Sequence, residues 1–95
     1  MSLFVVQHQH SAETCPARDP QMGPMLLTHL SAKNAAAHDV KIHGEAVING
    51  AHRLYLIVDA PGEEQISQLM RPFSQVGTVE IFPASPCEAV VGRGC

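Results

Sequence analysis

Two histidines spaced two positions apart are the residues of this sequence with the clearest potential for chemistry. His8 and His10 close the run LFVVQHQH, which has the composition of a strand, and alternate residues of a strand point to the same face. The two imidazoles could therefore converge on one metal ion. Cys15 follows shortly after and could add a thiolate. This donor set suits zinc, copper, nickel or iron better than magnesium or calcium, although a plain polar strand end stays an alternative.

The order of the strands decides which other polar residues can reach this pair. With strands 1 and 3 as central, parallel neighbours, we expect four residues near the same end of the sheet: Lys41, His43, Asp59 and Glu80. Of these, His43 and Asp59 are predicted to bind a cofactor. Cys87 follows strand 4 and is expected at the opposite end of the same subunit.

Structural roles are the simpler explanation of the other histidines. His29 falls on the apolar side of a predicted helix, as a core or interface histidine does. His38 lies near a helix end, where the helix dipole favours a cation. His52 follows a predicted hairpin turn and is expected to be exposed to solvent.

The hydrophobic pattern predicts four strands and two helices. The strands cover residues 3–10, 40–48, 52–59 and 78–83, and the helices run over about 20–31 and from 61 to Gly77. Asp19 and Pro20 are a typical N-cap and first helical residue. Asn49-Gly50 between apolar runs predicts a type I′ hairpin turn. Residues 31–39 either extend the first helix or form a second turn, and the apolar piece 89–91 could add an edge strand or reach a partner.

The second strand predicts two distinct faces. By strict alternation, one face carries the polar side chains Lys41, His43 and Glu45, and the other carries the apolar side chains Val40, Ile42, Ala46 and Ile48. The third strand is apolar at consecutive positions, as expected of a strand covered on both sides.

The element order β-α-β-β-α-β is the ferredoxin-like plan, which predicts an α+β domain with a four-stranded antiparallel sheet and two helices on one face. The segments LFVVQHQH, VKIHGEAVINGAHRLYLIVDA and TVEIFP resemble those of the small dimeric α+β-barrel proteins of bacteria. The resemblance covers about residues 3–83. It implies a homodimer whose two sheets face each other, with His43 pointing into the lumen, but it carries no catalytic signature.

Length and composition limit the classes of protein to which this chain can belong. Ninety-five residues predict a single domain, with a core over about 3–83 and a tail over 84–95. A net charge of −3 with six scattered Lys and Arg residues argues against nucleic acid as a partner. No apolar run is long enough for a membrane span, and the N-terminal apolar run is too short for a secretory signal, so we expect a cytoplasmic protein. Three cysteines fit poorly with a secreted disulfide framework.

These observations leave three hypotheses for the function. The first is a homodimeric metal- or cofactor-binding protein, possibly a metal-assisted enzyme, with His8 and His10 as ligands and Cys15 or His43 completing the set. The second is a cofactor-free isomerase- or monooxygenase-like enzyme in which His8 or His10 is the catalytic general base on a small organic molecule. The third is a non-catalytic interaction module, which predicts exposed and unpaired histidines.

Overall fold

The computed structural model describes residues 1–15, 17 and 19–94 of the chain. Cys95, expected to be a free tail cysteine, lies outside the described residues. The strands are β1 (Ser2–Gln9), β2 (Lys41–Ile48), β3 (Arg53–Ala60) and β4 (Thr78–Ala84). The helices are α1 (Met22–His29), α2 (Ala32–Ala37), α3 (Glu63–Leu69), α4 (Arg71–Ser74) and α5 (Cys87–Arg93), and a 3₁₀ turn covers Ala12–Thr14. In the described part of the chain, no helix combines the length and the apolar character that crossing a membrane requires.

The four strands form one antiparallel sheet in the order β2-β3-β1-β4, which confirms the predicted α+β, ferredoxin-like class. The prediction that strands 1 and 3 are parallel is wrong. Leu3 pairs with Asp59, and His8 pairs with Leu54 near the start of β3. The end of β3 therefore lies beside the start of β1, far from the histidine pair.

The core lies between one face of the sheet and the helices. The sheet contributes Phe4, Val6, His8, Leu54, Leu56, Val58 and Ala60, and the helices contribute Leu26, Ala35, Ile66, Leu69, Met70 and Phe73. His8 is the one charged or polar residue among the buried residues of the described chain. The opposite face is not covered by any described element, and Ile57 and Phe82 remain 47% and 43% exposed there.

The first predicted helix is divided into two short helices. The Asp19 carboxylate accepts hydrogen bonds from the backbone N–H groups of Gln21 and Met22, at 2.8 and 3.0 Å. Both hydrogen bonds lower the pKa of the Asp19 carboxyl, and the bond from Met22 has the larger effect. The chain leaves α1 at Leu30, and the Ser31 hydroxyl caps α2 by accepting a bond from the N–H of Asn34. Residues 31–39 thus form a second helical element.

A β-bulge at His43 overturns the predicted alternation of strand 2. Ile42 pairs with Val58 and Gly44 pairs with Ile57, so His43 is the extra residue. Beyond the bulge, each residue of β2 lies on the face of the sheet opposite to the one that strict alternation predicts. Glu45 pairs with the buried Leu56 and lies on the helix-covered face.

The tail, as far as residue 94, forms a helix and adds no edge strand. Pro86 precedes α5 in an extended conformation, and Gly94 ends the helix in a left-handed conformation at φ 78°. The piece 89–91 lies within α5, and Val91 is exposed on it.

Candidate metal site and cleft

Three side chains from separate segments meet where β1 ends. The ligand atoms of His10, Cys15 and His52 all lie within 4.8 Å of one another, and all three residues are half-buried. The backbone N–H of His10 donates to the carbonyl of His52 at 3.2 Å, which ties the end of β1 to the β2–β3 loop. The 3₁₀ turn then brings the chain back so that Cys15, in an extended conformation, faces both rings.

The β2–β3 loop places His52 in this group through an unusual backbone conformation. The loop has four residues, 49–52, between the paired residues Ile48 and Arg53. Gly50 and His52 adopt positive φ angles of 77° and 52°. The predicted two-residue type I′ turn is wrong, because Asn49 does not take a positive φ. The prediction that His52 is exposed to solvent is also wrong.

His8 lies beside this group but outside it. Its side chain is only 1% exposed, and its ring centroid is 5.2 Å from those of His10 and Phe73. A Cβ at Gly77 would lie 3.0 Å from His8 Nε2 and would overlap the carbonyl oxygen of Gln9. The absence of a side chain at Gly77 therefore leaves room for the His8 ring.

Both residues of the His-x-His pair favour the neutral imidazole. Burial is the largest cause that lowers the pKa of His8, and repulsion from His10 lowers it further. A hydrogen bond to the Phe73 backbone raises this pKa and so opposes the shift in part. Burial, and then repulsion from His52, lowers the pKa of His10. Neutral imidazole is the form that binds a metal or accepts a proton near pH 7.

These lowered pKa values predict that the metal-free protein loses stability in acid. Below the ordinary histidine value of 6.5, the unfolded chain takes up protons that folded His8 and His10 do not. The free energy of unfolding should therefore fall as the pH drops from 6.5 through the lower pKa values of the folded protein. Urea unfolding in a chelating buffer at a series of pH values measures this, and His8→Leu should flatten the dependence. Equal pH dependence in the two proteins would contradict the prediction.

An apolar cleft of about 350 Å³ opens beside the three side chains. His8, His10, Cys15 and His52 all line it, together with Glu45, which the bulge has brought to this face. The remaining lining is Ala17, Leu27, Leu30, Val47, Ile48, Asn49, Gly50, Leu54 and Phe73. Such a volume is at the lower end of the range for small-molecule sites.

The other residues singled out in the sequence lie elsewhere. His43 Nε2 and Asp59 Oδ2 form a 2.7 Å hydrogen bond, but they lie at the opposite end of the sheet from the histidine pair. The predicted proximity of His43, Asp59 and Lys41 to that pair is therefore wrong. Glu80 pairs with Gln7 and so lies near the same end of the sheet as the histidine pair, as predicted, but on the other face from His8. Cys87 is exposed at the start of α5, after the end of β4, as predicted.

Two further histidines have structural partners, as the sequence suggests. His29 Nε2 lies 2.6 Å from the Leu69 carbonyl oxygen, and its Nδ1 lies 3.2 Å from the side-chain amide nitrogen of Asn34. His38 follows α2, and its Nδ1 donates to the carbonyl of Asn34 at 3.0 Å. These bonds hold α1 and α2 against the core.

The positive φ angle of His52 lowers the stability of the metal-free protein, whereas its side chain belongs to the candidate metal site. A left-handed conformation costs an ordinary residue roughly 1 kcal/mol, and glycine avoids that cost. His52→Gly should therefore be as stable as the wild type without metal, or more stable by up to about 1 kcal/mol. Added zinc should raise the melting temperature of the wild type much more than that of the variant. A large loss of stability in the metal-free variant would contradict this expectation.

Two imidazoles and one thiol beside an apolar cleft, on a ferredoxin-like sheet, define a small α+β protein with a candidate metal site. The chain matches the family model described as "Domain of unknown function (DUF3303)" over residues 3–93, and it belongs to that family. No curated protein matches it.

His52 is the site residue that the sequence-based reasoning missed. Gln9 pairs with Arg53 in the antiparallel ladder, so the next position along β1, His10, comes opposite the preceding position, His52. Antiparallel strands 1 and 3 would therefore have predicted that His52 lies beside His10. His10 and Cys15, in contrast, belong to the group as predicted.

Proposed function

We propose that this protein binds one transition metal ion through His10, Cys15 and His52, and that the cleft beside the ion admits a small molecule for a metal-assisted reaction. The observation that carries the proposal is the convergence of three ligand atoms within 4.8 Å from three separate segments. Zinc is the first candidate, with copper, nickel and iron as alternatives, because all accept imidazole and thiolate ligands.

Among the residues that the structure describes, the group offers three ligands, and that number favours a reactive site over a structural one. Structural zinc sites have four protein ligands, whereas catalytic sites have three and leave one position for water or substrate. When bound, such an ion acts as a Lewis acid toward a group in that position. The chain's own residues would orient the ion, and the apolar lining of the cleft would limit the access of water. The Glu45 carboxylate lines the same cleft and is available to accept a proton.

One observation favours the second hypothesis, a metal-free enzyme with a histidine base. That hypothesis requires an apolar pocket reaching His8 or His10, and the cleft reaches both. The interaction-module hypothesis has less support, because it requires exposed histidines and His8 is buried.

Metal titration of protein purified without a histidine tag tests the proposal. We expect one zinc ion per chain, bound at micromolar concentration or below, and a thiolate-to-cobalt charge-transfer band when cobalt replaces zinc. Metal-free protein that binds neither ion would exclude the metal site. Activity that survives complete removal of metal would favour the histidine base.

A homodimer is part of the same proposal. The uncovered sheet face carries Leu3, Val5, Tyr55, Ile57 and Phe82, of which the last two are nearly half exposed. A second copy that covered this face would bury these side chains, as the resemblance to α+β barrels implies. Light scattering should give the mass of a dimer for the wild type and of a monomer for Ile57→Lys, and a wild-type monomer would contradict the expectation.

A further inference from the structure

The three candidate metal ligands also line the apolar cleft. His10, Cys15 and His52 belong both to the metal group and to the wall of the cleft of about 350 Å³. An ion held by these side chains would therefore lie at that wall, with one position of a four-coordinate shell left free. A molecule that reached this position through the cleft would place the rest of its atoms inside the cleft.

Most of the remaining cleft wall is apolar. Leu27 of α1 and Val47 of β2 line the cleft and are 69% and 61% exposed, so both side chains contact solvent when the cleft is empty. The core residues Leu54 and Phe73 line the cleft as well. Apolar side chains exposed around one concave site are typical of a binding site for an apolar group.

The charged residues of the wall do not favour an anionic body for the ligand. Among the described residues, no lysine or arginine lines the cleft, and Glu45 is the one acidic residue that does. A phosphate or sulfonate group would therefore meet a like charge in that part of the wall. The favoured partner for a polar atom of the ligand is the ion itself, which binds nitrogen, sulfur and oxygen lone pairs.

We propose that the cleft binds a small, mainly apolar molecule with one nitrogen, sulfur or oxygen donor atom, which binds the metal ion while the apolar body packs against Leu27 and Val47. The inference rests on the proposed function, because it needs an ion at His10, Cys15 and His52, and it adds the class of molecule that the ion and the cleft select together. The apolar wall is the source of specificity, because a metal ion alone binds a donor atom whatever the rest of the molecule is.

Three matched probes test this inference on the metal-loaded protein. 4-Phenylimidazole has an apolar ring and a nitrogen lone pair, imidazole has the lone pair without the ring, and 2-phenylpyrrole has nearly the shape of 4-phenylimidazole without the lone pair. The absorption bands of bound cobalt report coordination of a probe. Amide NMR shifts of the zinc-loaded protein report where the phenyl ring lies.

We expect 4-phenylimidazole to bind at least tenfold more tightly than imidazole. A tenfold gain requires burial of about 55 Å² of apolar surface at about 25 cal/mol per Å², and an aromatic ring that enters a cleft buries more than that. 2-Phenylpyrrole should bind more weakly than 4-phenylimidazole and leave the cobalt bands unchanged. The NMR shifts caused by both phenyl compounds should be largest at residues lining the cleft.

Two exposed valines provide a matched pair of variants. Val47→Lys places a charge on the cleft wall and should remove most of the advantage of 4-phenylimidazole over imidazole. Val91→Lys should leave this advantage unchanged, because Val91 is 80% exposed on α5, which follows the end of β4 that pairs with the start of β1. The advantage is a ratio measured on one protein, so a general change in metal affinity cancels. Leu27→Ser tests the same wall if Val47→Lys does not fold.

Failure of this inference and failure of the metal proposal give different results. A protein that binds cobalt but holds 4-phenylimidazole no more tightly than imidazole would overturn the inference and leave the metal site in place. The same conclusion would follow if the advantage survived both Val47→Lys and Leu27→Ser, if 2-phenylpyrrole bound as tightly as 4-phenylimidazole, or if the NMR shifts were centred outside the cleft. A protein that binds no metal would overturn both proposals.

Discussion

Replacement of Cys15 by serine is expected to lower the affinity for zinc by about 100-fold or more. Loss of a residue that only supports a ligand already costs roughly 10–100-fold, so loss of a ligand should cost at least the upper part of that range. The variant keeps two imidazoles but loses the thiolate, which is the strongest donor of the group for a soft ion. Competition with a chromophoric chelator measures the change.

Two histidine variants decide which residues complete the ligand set. Since His52 belongs to the group and His8 does not, His52→Ala should weaken zinc binding about as much as Cys15→Ser, and His8→Leu should weaken it much less. His43→Ala is the matched control, because it removes an imidazole at the far end of the sheet. If His8→Leu is as damaging as Cys15→Ser and His52→Ala is not, the set predicted from the sequence, His8, His10 and Cys15, is the correct one.

Replacement of Gly77 by alanine is expected to lower the free energy of unfolding by about 2–3 kcal/mol. An added methyl group would overlap the Gln9 carbonyl oxygen and press on His8 Nε2. The backbone of β1 cannot move aside easily, because it pairs with β3 on one side and β4 on the other. Urea unfolding of the metal-free protein gives the change directly.

Gly44→Ala is the matched control for this substitution. Gly44 also lies in the sheet, but a Cβ there would meet no atom within 4 Å. Its stability should remain within about 0.5 kcal/mol of the wild type. Equal stability of the two alanine variants would show that the β1 backbone shifts at Gln9 to make room for the added methyl group.

The fold was largely predictable because it depends on hydrophobic periodicity and element order. The strand bounds predicted from the sequence and those in the structure differ by one residue or less at every end. The errors came from features that periodicity does not encode. The direction of β1 relative to β3 is a property of topology, and a bulge that shifts one strand by one residue exchanges its faces without changing its composition.

The candidate site was predictable only in part for the same reason. His10 and Cys15 are close in sequence, so their proximity could be expected from the chain alone. His52 is close to them only through strand pairing and through its own left-handed backbone, which its residue type does not predict. Glu45 reached the cleft wall only because of the bulge at His43.

That bulge also affects the risk of aggregation. An edge strand with an unbroken row of free N–H and C=O groups can template the addition of another chain, as in amyloid. β2 is one edge of this sheet, and the bulge interrupts its row close to the charged Lys41. β4 is the other edge, and Pro83 within it has no N–H to offer. With both borders unsuited to open-ended growth, the pairing of two copies through the sheet face that is proposed above would be a closed contact of limited extent.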